Sequence, residues 1–144
     1  MKTEVRYQSR GGNTKAVAVL IANEFNIKAE PVEIPITEYT DILFVGGGVY
    51  EWRMDKTLRE FMKRLDSQKI GQIVCFSTTG YKNSAIEQMK HIAKEKGIAV
   101  NKNELLIKML LKGHSWLGLE SGNLSDKQIK TIINFTDKIK EELQ

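Results

Sequence analysis

The sequence predicts a doubly wound α/β fold, a five-stranded parallel sheet in the order 2-1-3-4-5 with helices on both faces. Short apolar runs of strand character alternate along the chain with segments whose apolar residues recur at helical spacing. Two of those runs, Ile42 to Val45 and Ile73 to Phe76, are continuously apolar, as parallel strands covered on both sides must be. Loops rich in Gly, Ser and Thr follow strands one, three and four, so all three fall at the carboxyl end of the sheet.

Strand one, about residues 2 to 7, alternates Val5 and Tyr7 with Glu4 and Arg6, which is unusual for a central strand. Either one face of it is thinly covered, or Glu4 and Arg6 pair with neighbours, because unpaired burial of charge is costly. Helix one follows to about Asn26, with Val17, Ile21 and Phe25 four apart on one face. Ile27 to Ile34, interrupted by Pro31, reads as a strand at a sheet edge. The run from Asp41 then ends in Gly46, Gly47 and Gly48 and is expected to open into a loop carrying Val49, Tyr50, Glu51, Trp52 and Arg53.

An amphipathic helix follows, whose apolar positions Met54, Leu58, Phe61, Met62 and Leu65 are assigned to the core. Ile70 to Ser77 is strand four, leading into Ser77, Thr78, Thr79, Gly80, Tyr81, Lys82 and Asn83. Ser84 and Glu87 have capping-box spacing, Ile86, Met89 and Ala93 face inward, and Gly97 stops this helix. Leu105 to Leu111 is the fifth strand, residues 112–123 a loop, and Ser125 with Gln128 caps a last helix that turns Ile129, Ile132, Ile133 and Ile139 inward.

With 144 residues, 41% hydrophobic and 28% charged, the chain is read as one domain over 1–144. No run approaches the roughly 20 apolar residues of a membrane span, and the amino terminus has no apolar export stretch, so a cytoplasmic location is expected. Cys75 is the single cysteine, and its apolar surroundings point to a buried, inert thiol. The net charge of +4 is spread along the chain, which argues against nucleic acid. His91 and His114 have no acid or cysteine at ligand spacing, so no metal is expected.

Between strand one and helix one stands Ser9-Arg10-Gly11-Gly12-Asn13-Thr14. The glycines let backbone N–H groups approach an anion, Ser9 and Thr14 add hydroxyls, and the helix amino terminus adds a favourable dipole. On spacing alone a second reading is equally open, in which Asn13 or Thr14 merely caps the helix after a Gly turn.

The hexapeptide resembles the FMN phosphate loop of the flavodoxin family, [ST]-x-[ST]-G-[NK]-T, and the likeness extends from strand one to the last helix. It departs at Gly11, where the family usually has a hydroxyl. Flavodoxin with FMN is itself an instance of ligand binding at the switch point of a 2-1-3-4-5 sheet, so placing a ligand there applies a known rule. The resemblance implies that Gly48, Val49, Tyr50, Glu51 and Trp52 border the isoalloxazine ring, and that Ser77, Thr78, Thr79, Gly80 and Tyr81 cover its pyrimidine end. Tyr50, Trp52 and Tyr81 are the stacking candidates. Glu51 stands about where many flavodoxins use Gly for a peptide flip, and a non-Gly residue tolerates positive φ poorly.

The function so implied is an FMN-dependent electron carrier serving redox partner proteins, as a monomer or weak dimer. The alternative is an FMN-dependent oxidoreductase of the same fold, of the quinone reductase or protoporphyrinogen oxidase type. A phosphoacceptor receiver domain is excluded by the lack of acidic residues after strand one and at the end of strand three. Relatives are usually acidic around the flavin, whereas these loops bring Arg10, Arg53 and Lys82. A partner with an acidic docking surface is therefore expected.

Overall fold

The computed structural model describes residues 1–50, 53–79, 84–109 and 124–144. Its elements are β1 (Thr3–Tyr7), α1 (Asn13–Glu24), β2 (Ala29–Pro31), β3 (Thr40–Tyr50), β4 (Arg53–Met54), α2 (Lys56–Arg64), β5 (Ile70–Thr79), α3 (Ser84–Glu95), β6 (Ala99–Val100), β7 (Leu105–Lys108) and α4 (Asp126–Glu142). The sheet runs β2-β1-β3-β5-β6 in parallel pairs, with β7 also parallel to β5. This is the expected order, with the fifth position shared by two short strands.

The sharing has a polar cause. β6 lies beside Gln72 and Ile73, and β7 beside Phe76 to Thr79. Between them Asn101 donates from Nδ2 to Gln72 Oε1 and Glu142 Oε2, both at 2.9 Å, and accepts from Asn103 N–H at 2.8 Å. Asn101 N–H still donates to Ile73 O at 2.8 Å, these side-chain bonds hold the segment that follows it, and a two-residue strand such as Ala99–Val100 has no periodicity to read. The expected fifth strand thus reduces to Leu105–Lys108, while Leu110 and Leu111 lie outside the described residues.

Alternation along the central strands divides the core. Val5, Ile42, Phe44, Val74 and Phe76 face α1 and α4, where they meet Val17, Ile21, Ile132, Phe135 and Ile139. Leu43, Val45, Ile73 and Cys75 face α2 and α3, where they meet Leu58, Phe61, Met62, Ile86 and Met89. In α4, Ile132 and Ile139 are buried as expected, whereas Ile129 and Ile133 are half-buried and Phe135 and Thr136 take the remaining inward positions. The five apolar residues from Met54 to Leu65 are all buried, but Met54 belongs to β4 and Leu65 ends the helix.

Two expectations need correction. The three glycines do not open a loop, for β3 runs on to Tyr50 and turns back through β4, with Val49 opposite Met54 and Tyr50 opposite Arg53. Gly46 and Gly47 are there for packing: a Cβ on Gly46 would overlap the Phe76 ring, and one on Gly47 would sit 2.6 Å from Leu58 Cδ2. Helices also fail to alternate with every strand, because residues 32–39, which join β2 to β3, contain none. That irregular crossover covers the face of β1 that carries Arg6. The side chain of Arg6 is 3% exposed and binds the crossover carbonyls of Ile34 and Pro35 as well as Glu4 and Glu30. Both readings of the charged strand therefore hold together: among the described residues no helix lies over its Arg6 face, and the charge there is paired.

Candidate functional site

The carboxyl ends of β1, β3 and β5 are bound to one another. Gln8 N–H donates to Gly46 O at 3.0 Å, and Ser77 Oγ–H to Gly47 O at 2.6 Å. The hydroxyls of Thr14 and Thr78 share a buried hydrogen bond of 2.7 Å. The start of α1 is thereby fixed to the end of β5. Ser77 is fully buried, so its contribution here is to join the strands. Gly48, also buried, lies beside Thr78 in the β3–β5 ladder.

The first loop is closed on itself by Gly12 N–H, which donates to Ser9 Oγ at 3.0 Å. Gly12 occupies the N-cap with φ 90°, a conformation in which a Cβ would be strained, and no side chain caps the helix. Asn13 and Thr14 are already helical, so the reading that either one serves as the cap is set aside. The first helical backbone bond runs from Ala16 N–H to Gly12 O, which leaves the N–H groups of Asn13, Thr14 and Lys15 without an intrahelical acceptor. Beside them Asn13 Oδ1 is buried without a hydrogen-bond partner. A buried unpaired amide oxygen costs about 1–3 kcal/mol, so it marks a place where a donor is missing.

These features fit a ligand with an anionic end and hydroxyl groups. The N–H groups at the positive end of α1 suit the anion, and Asn13 Oδ1 suits a hydroxyl donor. Ser9 accepts from Gly12, and its hydroxyl hydrogen remains suited to an anion. Thr14 is buried and its hydroxyl shares a hydrogen bond with that of Thr78, in which either oxygen can be the donor, while its backbone N–H is one of the three at the helix start.

Arg10 has a different arrangement from the one its place in the loop implies. Its Nε and Nη2 donate to Asp55 Oδ2 at 3.2 and 2.7 Å. Asp55 Oδ1 meanwhile accepts from Thr57 N–H at 2.7 Å and so caps α2. Burial works to raise the Asp55 carboxyl, but the hydrogen bonds from Arg10 and Thr57 outweigh it and hold the group below the ordinary aspartate value. The Arg10 charge is thus compensated by a neighbour. Asp55 was missed in the sequence, although an Asp directly before a helical run is a signature of an N-cap.

Of the other expected site residues, Val49, Tyr50 and Thr79 end β3 and β5, and their side chains lie outside the described part. Glu51, Trp52, Gly80 and Tyr81 lie outside it altogether, as does Lys82. Among the described residues no group of three or more His, Cys, Asp or Glu could hold a metal, and no helix is long and apolar enough to cross a membrane.

The sequence model of the flavodoxin domain matches residues 4–136. The chain belongs to the flavodoxin family. Among solved structures, an archaeal flavodoxin is 20% identical with a TM-score of 0.61, over 97% of this chain and 99% of its own. The two-electron reduced flavodoxin of Megasphaera elsdenii is 15% identical with a TM-score of 0.62, over 94% and 98% of the two chains. Rubredoxin oxygen:oxidoreductase from Desulfovibrio gigas has a TM-score of 0.65 at 12% identity, and there 99% of this chain spans 37% of the other. No curated protein sequence matches significantly. At such identities the likenesses establish a shared flavodoxin fold.

Proposed function

We propose that this flavodoxin-family protein binds FMN as a single domain over residues 1–144 and carries electrons between redox partner proteins. The observation that carries the reading is the buried, unpartnered Asn13 Oδ1 beside three N–H groups at the start of α1. Ser9, Gly11, Gly12, Asn13 and Thr14 hold the phosphate end, with Arg10 at the rim. Gly48, Val49, Tyr50, Glu51 and Trp52 border the ring, and Thr78, Thr79, Gly80 and Tyr81 cover its far end, with Ser77 anchoring that loop to β3. When bound, FMN supplies the electron chemistry, while the chain's residues bind it, orient it and set its electrostatic surroundings. FMN is favoured over FAD because the loop suits one terminal phosphate, and the chain has no G-x-G-x-x-G for a pyrophosphate.

A monomer or weak dimer in the cytoplasm, docking on acidic surfaces of its partners, is the form this function takes. The net charge of +4 supports such docking, and complementary charge acts mainly on the association rate.

Titrating the apo-protein with FMN, FAD and riboflavin tests the reading. FMN is expected to bind most tightly, giving a yellow protein. Equal affinity for FMN and riboflavin would mean that the first loop holds no phosphate. A second reading, an FMN-dependent oxidoreductase, has support in the fold shared with an NADH:FMN oxidoreductase, matched over 90% of that chain. Steady reduction of a quinone by NADH with this protein alone would favour it over the carrier.

A further inference from the structure

We infer that the Arg10–Asp55 ion pair is a latch that holds the first loop against the amino terminus of α2 and thereby slows the release of bound flavin. The inference rests on the FMN reading above. Arg10 lies in the first loop, and Asp55 follows immediately on the β3–β4 hairpin. The two residues are 45 positions apart in sequence, and their bond joins two segments that flank the proposed cofactor position.

The geometry favours a positioning role for Arg10 over direct charge neutralisation of a phosphate. Two of its nitrogens converge on one carboxylate oxygen, Asp55 Oδ2, and the other oxygen is fixed by Thr57 N–H. Asp55 is 7% exposed, so the carboxylate has little water to fall back on if the arginine leaves. Arg10 itself is 58% exposed on its side chain, so the pair lies at the rim, with the guanidinium on the solvent side and the carboxylate on the inner side. A guanidinium held in this way contributes to both flavin and loop through the geometry it imposes, with its own charge already balanced.

The test is a double-mutant cycle with Arg10→Met and Asp55→Asn. Asn is as good an N-cap as Asp, so Asp55→Asn keeps the Thr57 bond through its one amide oxygen and puts an NH2, which cannot accept from Arg10, where Oδ2 stood. Circular dichroism and thermal unfolding of the apo-proteins control for folding, and Arg10→Lys gives the conservative replacement. Each single variant is expected to raise the FMN dissociation constant about fivefold, through a faster off-rate, with riboflavin affected equally. The double variant should be no worse than either single one, because both remove the same contact. Additive losses, losses confined to FMN, or no loss at all would overturn the latch while leaving the cofactor reading intact. A wild-type protein that binds neither FMN nor riboflavin would overturn the cofactor reading, and the latch with it.

Discussion

Arg6 Nε on β1 donates to the carbonyl oxygen of Ile34, 2.8 Å away on the crossover between β2 and β3. Nη2 reaches the neighbouring Pro35 carbonyl at 3.2 Å, and Nη1 the Glu4 carboxylate at 2.9 Å. One buried side chain therefore fastens a helix-free connection onto the sheet. Replacing Arg6 by Met keeps much of the volume and removes every one of these bonds. The variant should lose about 2 kcal/mol of stability in urea unfolding with an unchanged m-value, since Glu4 and Glu30 are partly exposed and can hydrate once unpaired. A loss below about 0.5 kcal/mol, the range of an ordinary surface substitution, would show that the crossover is held by other contacts.

Gly46 offers a second test, because its reason lies in packing. A Cβ there would overlap the Phe76 ring on the α1–α4 side of the sheet. Gly46→Ala should cost about 3 kcal/mol, the upper part of the range for overfilled cores. Phe76→Leu should cost a similar amount alone but recover part of the loss when combined with Gly46→Ala, a non-additivity read by thermal unfolding. Strictly additive losses would mean that the alanine is accommodated by a backbone shift.

The same glycine shows where the sequence was legible and where it was not. The parallel order, the two-sided core and the position of the first loop follow from patterns within a few neighbouring residues, such as the unbroken run Ile42 to Val45 or the Ser125–Gln128 capping box, which forms as expected. Gly46 is set instead by Phe76, a contact between strands, and nothing near it in sequence distinguishes such a glycine from one in a loop. Asp55 carries the signature of a helix cap, which a helix begun at Met54 passes over, and nothing near it in sequence marks it as the partner of Arg10. Arg6 was legible as an anomaly, but its acceptors are backbone carbonyls, which carry no side-chain signal.

Cys75, 1% exposed in β5, has its thiol pushed up by burial from an ordinary 9.0 to about 12. At pH 8 the native protein should resist iodoacetamide and react only once unfolded, as followed by mass spectrometry. Stability should respond as well. Below pH 9 both states keep the proton; between about 9 and about 12 the unfolded chain ionises while the folded one does not, so this group lowers stability by about 1.4 kcal/mol per pH unit as pH rises. Cys75→Ala should therefore give a flatter stability curve above pH 9 than the wild type. Rapid alkylation of the native protein would contradict the burial.

Asp55 titrates in the opposite sense. Its folded carboxyl lies below the ordinary aspartate value, so its contribution is fully present above the unfolded value and is lost as pH falls through the folded one. Burial alone would raise this carboxyl, and it is the hydrogen bonds from Arg10 and from Thr57 that reverse the direction. Removing only Arg10 therefore makes a directional prediction: in Arg10→Met the Asp55 midpoint, followed by NMR of its side-chain carbon, should move upward, and acid unfolding should begin at higher pH. Thr57 N–H remains bonded to Oδ1 in that variant, so the rise is smaller than the loss of both bonds would give. An unmoved midpoint would mean that the cap alone holds Asp55 ionised and that Arg10 contributes no charge stabilisation to the start of α2.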